Sequence, residues 1–185
     1  MFGNWSMAVL SVVCFGSFAW AVKGHFRSRG PVSNGMRLIS VASLASMAWF
    51  LKRLLVAHMA SRWPLAAALI VVALGLFWWT VRTTARRRLT LAFDDDQPTF
   101  LHRHGPYRWV RHPFYASYIL FWLASSLATP GLLPWAVPVC FVAIYIVAAT
   151  KEEGKFETSS LGMEYARYRS ETGMLLPFRW RWPKD

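Results

Sequence analysis

Residues 114–150, FYASYILFWLASSLATPGLLPWAVPVCFVAIYIVAAT, form two apolar runs separated by the turn residues Pro130 and Gly131. A membrane-spanning helix needs about 20 mostly apolar residues, so these runs predict two helices that form a hairpin in a bilayer. Three further apolar runs precede them in the chain. The predicted spans are residues 5–22, 36–51, 63–81, 114–129 and 132–150.

The composition of the whole chain also indicates a membrane protein. Hydrophobic residues make up 55% of the 185 positions, and 11 Trp and 13 Phe are among them. A soluble domain of this length could not bury so many large apolar side chains. We therefore predict an all-α, polytopic membrane helix bundle in a single domain. Residues 1–81 would supply three spans, and residues 82–185 a loop, a helical hairpin and a tail.

Basic residues are concentrated on alternate connections between the runs. If the N-terminus lies outside, 18 of the 21 Lys and Arg residues fall in the inner segments 23–37, 82–111 and 151–185. Cytoplasmic loops of membrane proteins carry an excess of Lys and Arg. This predicts an outside N-terminus and a cytoplasmic C-terminus. We expect an integral protein of a bacterial inner membrane. The net charge of +12 reflects this orientation, so no nucleic-acid partner is predicted.

The RHPFY motif, residues 111–115, lies directly before the fourth predicted span. Proline is favoured in the first turn of a helix, so Pro113 predicts the start of that helix, with His112 near its cap. The free N–H groups of such a helix end, together with Arg108 and Arg111, would suit a small carboxylate or phosphate. The alternative is that both arginines are interface anchors that contact lipid phosphate.

Glu152 and Glu153 follow the fifth predicted span, where the negative end of a helix disfavours carboxylates. They could pair with the RHPFY motif, which the hairpin brings to the same membrane face, or they could form a solvated helix end. Adjacent helix residues point about 100° apart, so one glutamate should face a ligand and the other a basic residue. Glu152 shares a helix face with Tyr145. We therefore predict that Glu152 faces the pocket and that Glu153 pairs with Arg111 or with the tail.

The tail segment FETSSLGMEYARYRSETG, residues 156–173, predicts a short amphipathic helix at the membrane interface. Leu161, Tyr165 and Tyr168 recur at helical spacing and share its apolar face. The charged residues of the segment lie on its other faces. This helix would lie on the same side of the membrane as the RHPFY motif.

Motifs for common cofactor and metal sites are missing from the sequence. It contains no Gly-x-Gly, Cys-x-x-Cys or His-Glu-x-x-His. The sequence therefore predicts neither a Rossmann nucleotide site nor a metal site. Cys14 and Cys140 lie inside apolar runs, where cysteine behaves as a small apolar residue.

Three segments, GPYRWVRHPFYAS, EEGKF and LGMEYARYRSETGMLLP, carry a family resemblance that covers residues 87–178. Together they resemble the isoprenylcysteine carboxyl methyltransferase family, which includes related phospholipid methyltransferases. The resemblance implies an integral membrane methyltransferase that uses S-adenosylmethionine without a Rossmann domain. It also implies a cytoplasmic cofactor pocket and a tunnel that admits a lipophilic acceptor from the bilayer.

The resemblance also implies roles for individual residues. The cofactor site would be lined by Tyr107, Arg111, His112, Pro113, Tyr115, Glu152 and Glu153. Tyr165 and Tyr168 would line the pocket or the substrate site. Arg111 and His112 would hold the methionine carboxylate of the cofactor, and the glutamates its amino group or ribose hydroxyls. The acceptor would be a prenylcysteine-like carboxylate, a lipid amine or another small hydrophobic molecule.

Two positions depart from the family pattern. Ser117 stands where the family usually has glycine, which predicts a change in close helix packing. Met174 stands where many members have an arginine. If that arginine helps to hold a carboxylate acceptor, its replacement disfavours a prenylcysteine carboxylate for this protein.

Two other functions remain open from the sequence. Some sterol reductases share a similar C-terminal half and use NADPH, although they generally have more spans and a longer tail than 185 residues allow. A non-enzymatic membrane adaptor would use the basic loops to bind anionic lipid.

Overall fold

The computed structural model describes residues 2–26, 33–56, 60–87, 89 and 98–177. Every regular element in these residues is helical, as predicted. The helices are α1 (Phe2–Gly24), α2 (Asn34–Val56), α3 (Trp63–Thr84), α4 (Pro113–Ala128), α5 (Ala136–Glu157) and α6 (Gly162–Glu171). Single turns of 3-10 helix, Gly105–Arg108 and Leu133–Trp135, precede α4 and α5. An isolated parallel bridge joins Val110 to Gly173.

The helices α1, α2, α3 and α5 are each long and apolar enough to cross a membrane. The helix α4 is shorter, with 16 residues. At about 1.5 Å per residue it measures about 24 Å, against a hydrocarbon core of about 30 Å. Both helices of the predicted hairpin therefore exist, but only the second has the full length of a span. The chain is an integral membrane helix bundle with four such helices among its described residues.

The helix α4 packs between α3 and α5 and is buried around most of its circumference. Phe77 of α3 contacts the rings of Phe114 and Tyr118, with centroids 5.6 and 6.3 Å away. Ser117 is fully buried, and its hydroxyl donates to the carbonyl oxygen of Phe114 at 2.7 Å. The hydroxyl that replaces the glycine usual in the family is therefore satisfied within α4 itself.

Contacts between residues far apart in sequence define the two ends of the bundle. At one end, the side-chain amide of Asn4 donates to the carbonyl oxygen of Leu54 at 2.7 Å. At the other end, His25 Nε2 and Thr84 Oγ1 lie 2.7 Å apart, and the His25 ring lies 6.1 Å from the ring of Phe114. The start of α1 thus lies beside the end of α2, and the ends of α1 and α3 lie beside the start of α4. The helices α1 to α4 therefore alternate in direction. The RHPFY motif lies at the end of the bundle where α1 and α3 finish.

The helix α2 extends past its predicted end at residue 51. Lys52 and Arg53 do not interrupt it, and it ends at Val56. The guanidinium of Arg53 donates to the carbonyl oxygen of Pro130 at 2.9 Å and lies 5.9 Å from the ring centroid of Trp49. Because the cation has these partners near the helix end, it does not terminate the helix.

The helix α5 is also shifted from its predicted position. It begins at Ala136 rather than at residue 132, because residues 133–135 form a 3-10 turn. It continues to Glu157 rather than ending at residue 150. Glu152 and Glu153 consequently lie inside the helix, in its last two turns, and not beyond it.

Candidate functional site

The RHPFY motif is held by the segment that follows α6. The backbone N–H of Arg111 donates to the carbonyl oxygen of Gly173 at 2.8 Å, and that of His112 donates to Met174 at 3.1 Å. Pro113 then begins α4, as predicted, with His112 at the N-cap position. The motif is therefore fixed by the tail on one side and by α4 on the other.

Glu153 is buried within a cluster of basic side chains. Its Oε1 lies 2.8 Å from Arg111 Nε and 3.1 Å from His112 Nε2, and its Oε2 lies 3.6 Å from Arg169 Nε. The side chains of Arg111 and Glu153 are only 8% and 4% exposed. Arg111 also donates to the carbonyl oxygen of Thr172. These contacts confirm the predicted pairing of Glu153 with Arg111. They also show that the guanidinium of Arg111 donates hydrogen bonds to groups of the protein.

Glu152 has a different environment from that of its neighbour. The Tyr115 hydroxyl donates to its Oε1 at 2.5 Å, and its Oε2 lies 3.5 Å from His112 Nδ1. Its side chain remains 33% exposed. Glu152 and Tyr145 both line the internal cavity of the bundle, whereas Glu153 does not. The structure thus directs Glu152 toward the pocket, as its helix face predicts.

His112 bridges the two glutamates. Burial disfavours its charged form, but the hydrogen bonds to Glu152 and Glu153 outweigh this effect and raise the pKa of His112 above its usual value of 6.5. The imidazole also stacks on the ring of Tyr115, with centroids 5.6 Å apart and planes 13° apart. A protonated His112 therefore places positive charge beside the cavity and between the two carboxylates.

The helix α6 forms one wall of the site through the apolar face predicted for the tail. Tyr165 stacks on Phe156 of α5 at 4.8 Å, and the Tyr168 hydroxyl donates to the carbonyl oxygen of Tyr107 at 2.7 Å. Burial raises the pKa of Tyr168 to about 12, which keeps the hydroxyl protonated as a donor. This face packs on protein, and a location of α6 at the membrane interface stays a prediction.

A cavity of about 460 Å³ connects these side chains with the interior of the helix bundle. Eight of the nine predicted site residues line it: Tyr107, Arg111, His112, Pro113, Tyr115, Glu152, Tyr165 and Tyr168. The ninth, Glu153, contacts Arg111 and His112 instead and supports them. The charged end of the cavity lies at the RHPFY motif.

The opposite end of the cavity is lined by residues that the sequence motifs do not identify. They include Phe15, Phe18, Ile39, Leu44, Tyr118 and Trp122. Helical spacing could have identified two of them, Tyr118 and Trp122, because they follow Tyr115 at i+3 and i+7 on α4. The residues from α1 and α2 carry no such signal, since they lie outside the segments that resemble the family.

Residues 61–162, more than half of the chain, match the family model described as phospholipid methyltransferase. The chain belongs to this family. The match begins near the start of α3, one helix earlier than the resemblance inferred from the motifs, and it ends at the first residue of α6. It contains the RHPFY motif, the helical hairpin and both glutamates.

The chain is also similar to methyltransferases of other organisms. The methanethiol S-methyltransferase of Mycobacterium tuberculosis is 36% identical over 80 residues, which are 43% of this chain and 30% of that relative. The methanethiol S-methyltransferase of Crocosphaera subtropica is 33% identical over 95 residues, which are 50% of this chain and 36% of that relative. The matched region therefore spans only about a third of the length of these two relatives.

Proposed function

We propose that this protein is an S-adenosylmethionine-dependent membrane methyltransferase that transfers a methyl group to a lipophilic acceptor at the cytoplasmic face. The cavity carries the proposal, because it joins a charged end at Arg111, His112 and Glu152 to an apolar end between the helices. A cofactor with a zwitterionic part suits the first end, and an acceptor from the bilayer suits the second. Membership in the phospholipid methyltransferase family supports methyl transfer as the reaction.

The residues at the charged end match the chemistry of S-adenosylmethionine. The carboxylate of Glu152 can accept hydrogen bonds from the amino group or the ribose hydroxyls of the cofactor. Protonated His112 and the first turn of α4 offer positive charge to the cofactor carboxylate. The aromatic faces of Tyr115 and Tyr118 can favour the sulfonium.

Arg111 contributes to the proposed site in two ways. It lines the cavity, and it neutralises the buried carboxylate of Glu153. The second contact holds Glu153 where it can accept from His112 Nε2 at 3.1 Å. In this proposal Arg111 therefore supports the position and the positive charge of His112, and that charge favours the cofactor carboxylate.

Bound S-adenosylmethionine would supply an electrophilic methyl group attached to its sulfonium. The protein then has to align the acceptor with that methyl group and to exclude water. Tyr107, Tyr165 and Tyr168 close the cavity toward α6, while Phe18 and Trp122 bound it within the bundle. Alignment and exclusion of water are the main contributions of these residues.

The membrane face and the source of the acceptor are further parts of the proposal. The excess of Lys and Arg in alternate segments supports a cytoplasmic location for the end that carries the site. Leu44 of α2 lines the cavity and is 60% exposed, which supports an opening toward membrane lipid. The name of the relatives, methanethiol S-methyltransferase, supports the inclusion of thiols among the acceptors.

A thermal-shift measurement on the purified protein in detergent tests this proposal. We expect S-adenosylmethionine and S-adenosylhomocysteine to raise the unfolding midpoint, because a ligand that binds only the folded state stabilises it. We expect no shift with NADPH. Stabilisation by NADPH alone would support a membrane reductase instead, and no stabilisation by any of the three compounds would support a non-enzymatic adaptor.

A further inference from the structure

Two helices of the bundle carry pairs of exposed tryptophans at nearly the same separation. On α1, Trp5 and Trp20 lie 15 positions apart, and on α3, Trp63 and Trp79 lie 16 positions apart. At about 1.5 Å per helical residue, each pair spans about 22–24 Å along the helix axis. Tryptophan is enriched where the hydrocarbon core of a bilayer meets the headgroups, because its ring is apolar and its N–H is polar. Each pair therefore marks the two edges of a lipid-facing surface.

The tryptophans of the two helices lie at matching heights. The ring centroids of Phe18 and Phe77 are 5.0 Å apart, and each of these residues stands two positions before a tryptophan, Trp20 on α1 and Trp79 on α3. The helices α1 and α3 also run in the same direction. Trp20 and Trp79 thus form the site level, at the end of the bundle that carries the RHPFY motif. The first tryptophan of each pair belongs to the far level, at the opposite end.

The helices α4 and α5 have the same length between these two levels. The helix α4 starts in the RHPFY motif and has only 16 residues. The carbonyl oxygen of its last residue, Ala128, accepts from the backbone N–H of Ala60, three positions before α3, at 3.1 Å. Trp135 directly precedes α5, and the exposed Lys151 lies 16 positions later. Both helices therefore also cross about 24 Å between the site level and the far level.

The lipid-facing surface between the two levels is apolar. The large exposed side chains of α1, α3 and α5 in this region are Val9, Val12, Val13, Leu65, Val71, Val72, Val139, Ile146 and Val147. The helix α2 sets no closer limit, because Leu55 and Val56 beyond Lys52 are themselves exposed. The apolar belt formed by α1, α3 and α5 is thus about 22–24 Å high. The hydrocarbon core of a typical bilayer is about 30 Å thick.

We infer that this protein fits a bilayer whose hydrocarbon core is about 22–24 Å thick, and that it selects lipids with acyl chains shorter than oleoyl or thins an ordinary bilayer around itself. A tilt of the helices would make the matching bilayer thinner still. In a thicker bilayer, the indole N–H groups of one level or the carboxylate of Glu152, directly after Lys151, would enter hydrocarbon. Such burial of polar groups is costly, whereas a bilayer deforms at modest cost. The fit to lipid is independent of the methyl-transfer reaction.

Thermal unfolding of the protein in liposomes of three phosphatidylcholines tests this inference. The unsaturated acyl chains lengthen from dimyristoleoyl to dioleoyl to dierucoyl lipid, while the headgroup stays the same. We expect the unfolding midpoint of the parent to be highest in dimyristoleoyl lipid, by about 4 °C or more over dioleoyl lipid, and lowest in dierucoyl lipid. A midpoint that is highest in dioleoyl or dierucoyl lipid, or that is equal in all three, would overturn the inference.

Removal of both tryptophans of the site level should shift the optimum to a thicker bilayer. In the double variant Trp20→Leu/Trp79→Leu, the next charged side chains toward the site end are Lys23 on α1 and Arg82 on α3, each three positions later. The apolar belt on these helices is then about 4.5 Å higher. We expect the midpoint of this variant to be highest in dioleoyl lipid. Retention of the parent's order of midpoints would contradict the role of the tryptophans as the edge of the belt.

Two control variants leave the edges of the belt in place. Val12→Leu/Val71→Leu carries one exposed substitution in the middle of each of the same two helices. Trp109→Phe changes an exposed tryptophan that lies outside the helices and outside the cavity. Both variants should keep the order of midpoints found for the parent. A shift of the optimum in either control equal to that in the double variant would overturn the inference.

A single variant decides the test if the double variant does not fold. The rings of Trp20 and Trp78 lie 5.3 Å apart, so Trp20→Leu removes a contact between α1 and α3. Trp79→Leu alone keeps this contact and lengthens the belt on α3 only. We expect it to reduce the advantage of dimyristoleoyl over dioleoyl lipid to about half of that in the parent. An advantage equal to that of the parent would overturn the inference.

Discussion

Glu152 and Glu153 are neighbours in sequence but have different surroundings, because consecutive helix residues point about 100° apart. Glu153 is enclosed by Arg111 and His112, and its side chain is 4% exposed. Glu152 is 33% exposed and lines the cavity. Glu152 is therefore available to a ligand, and Glu153 stabilises the fold.

We expect Glu153→Gln to destabilise the protein much more than Glu152→Gln. The first substitution leaves the buried guanidinium of Arg111 without its counter-ion, and such a loss costs about 3–5 kcal/mol. The second removes a partly solvated charge and should lower the free energy of unfolding by about 1 kcal/mol or less. Thermal unfolding of both variants in the same detergent measures the difference. Equal midpoints for the two variants would show that Glu153 has no special structural role.

His112 should make the stability of the protein depend on pH. Its contacts with both glutamates raise its pKa above 6.5 in the folded protein, so the stabilisation is complete below about pH 6.5 and is lost as the pH rises through the raised pKa. We expect the unfolding midpoint of the parent to fall as the pH is increased through this window. In His112→Asn this fall of the midpoint with pH should be missing. In His104→Asn, at an exposed histidine, it should remain. A midpoint that rises in the parent over the same window would contradict the assigned charge of His112.

Short motifs were sufficient to predict which residues meet at the charged end of the cavity. Tyr107, Tyr115 and Glu152 all line it, although their contacts with a cofactor stay predictions. Whether Arg111 binds a ligand or stabilises the protein could not be predicted in the same way. Its partners, Glu153 and the carbonyl oxygen of Thr172, belong to another helix and to the tail. Only tertiary contacts decide whether a buried arginine serves a ligand or the protein.

At the level of the structural elements, the turn before the RHPFY motif depends on Gly105. Its φ of +58° lies in the left-handed region, and a Cβ at this position would contact the side chain of Thr83 on α3. Glycine therefore allows the 3-10 turn to approach α3 closely. The same turn carries Tyr107, which is 5% exposed and lines the cavity.

We expect Gly105→Ala to lower the free energy of unfolding by about 1–3 kcal/mol, because alanine has to adopt a strained backbone conformation and also meets Thr83. The matched control is Gly75→Ala in α3, where an added Cβ has no atom within 4 Å. Alanine is favoured over glycine within a helix, so this variant should be neutral or slightly stabilised. Unfolding midpoints of the two variants can be compared directly. If Gly105→Ala is as stable as Gly75→Ala, the turn does not require glycine.

The helices themselves were predictable because long apolar runs are a strong local signal, but their ends were not. The end of α2 depends on the contact of Arg53 with Pro130, which lies in the turn after α4. The end of α5 includes Glu153, whose charge is balanced by Arg111 from the start of the RHPFY motif. In both cases a partner distant in sequence allows a charged residue to remain in the helix, and no local pattern reveals that partner.

On the scale of the whole molecule, the predicted orientation places the RHPFY motif and the cavity mouth in the cytoplasm. Two exposed positions at opposite ends of the bundle can test it, namely Arg108 beside the motif and Leu132 in the turn between α4 and α5. We expect a membrane-impermeant maleimide to label Arg108→Cys only in inverted vesicles and Leu132→Cys only in intact bacterial cells. The parent, with its own Cys14 and Cys140, gives the background. The reverse pattern of labelling would contradict the orientation.

The cavity is a property of the whole molecule, and the sequence did not identify the residues that line its apolar end. That end combines Phe18 of α1, Leu44 of α2 and Tyr118 of α4, which come from widely separated parts of the chain. Apolar residues occur on every face of these helices, so hydrophobicity alone does not distinguish a residue that lines a cavity from one that contacts lipid. Packing of the helices makes that distinction.

Calorimetric titration with S-adenosylhomocysteine tests most directly whether the cavity between the RHPFY motif and Glu152 holds the cofactor. We expect saturable binding to the parent and to Trp109→Phe. Binding to Glu152→Gln should be about 10- to 100-fold weaker, because a charge-assisted hydrogen bond is lost. Absence of binding to the parent, or equal affinity of the parent and Glu152→Gln, would contradict this account of the site.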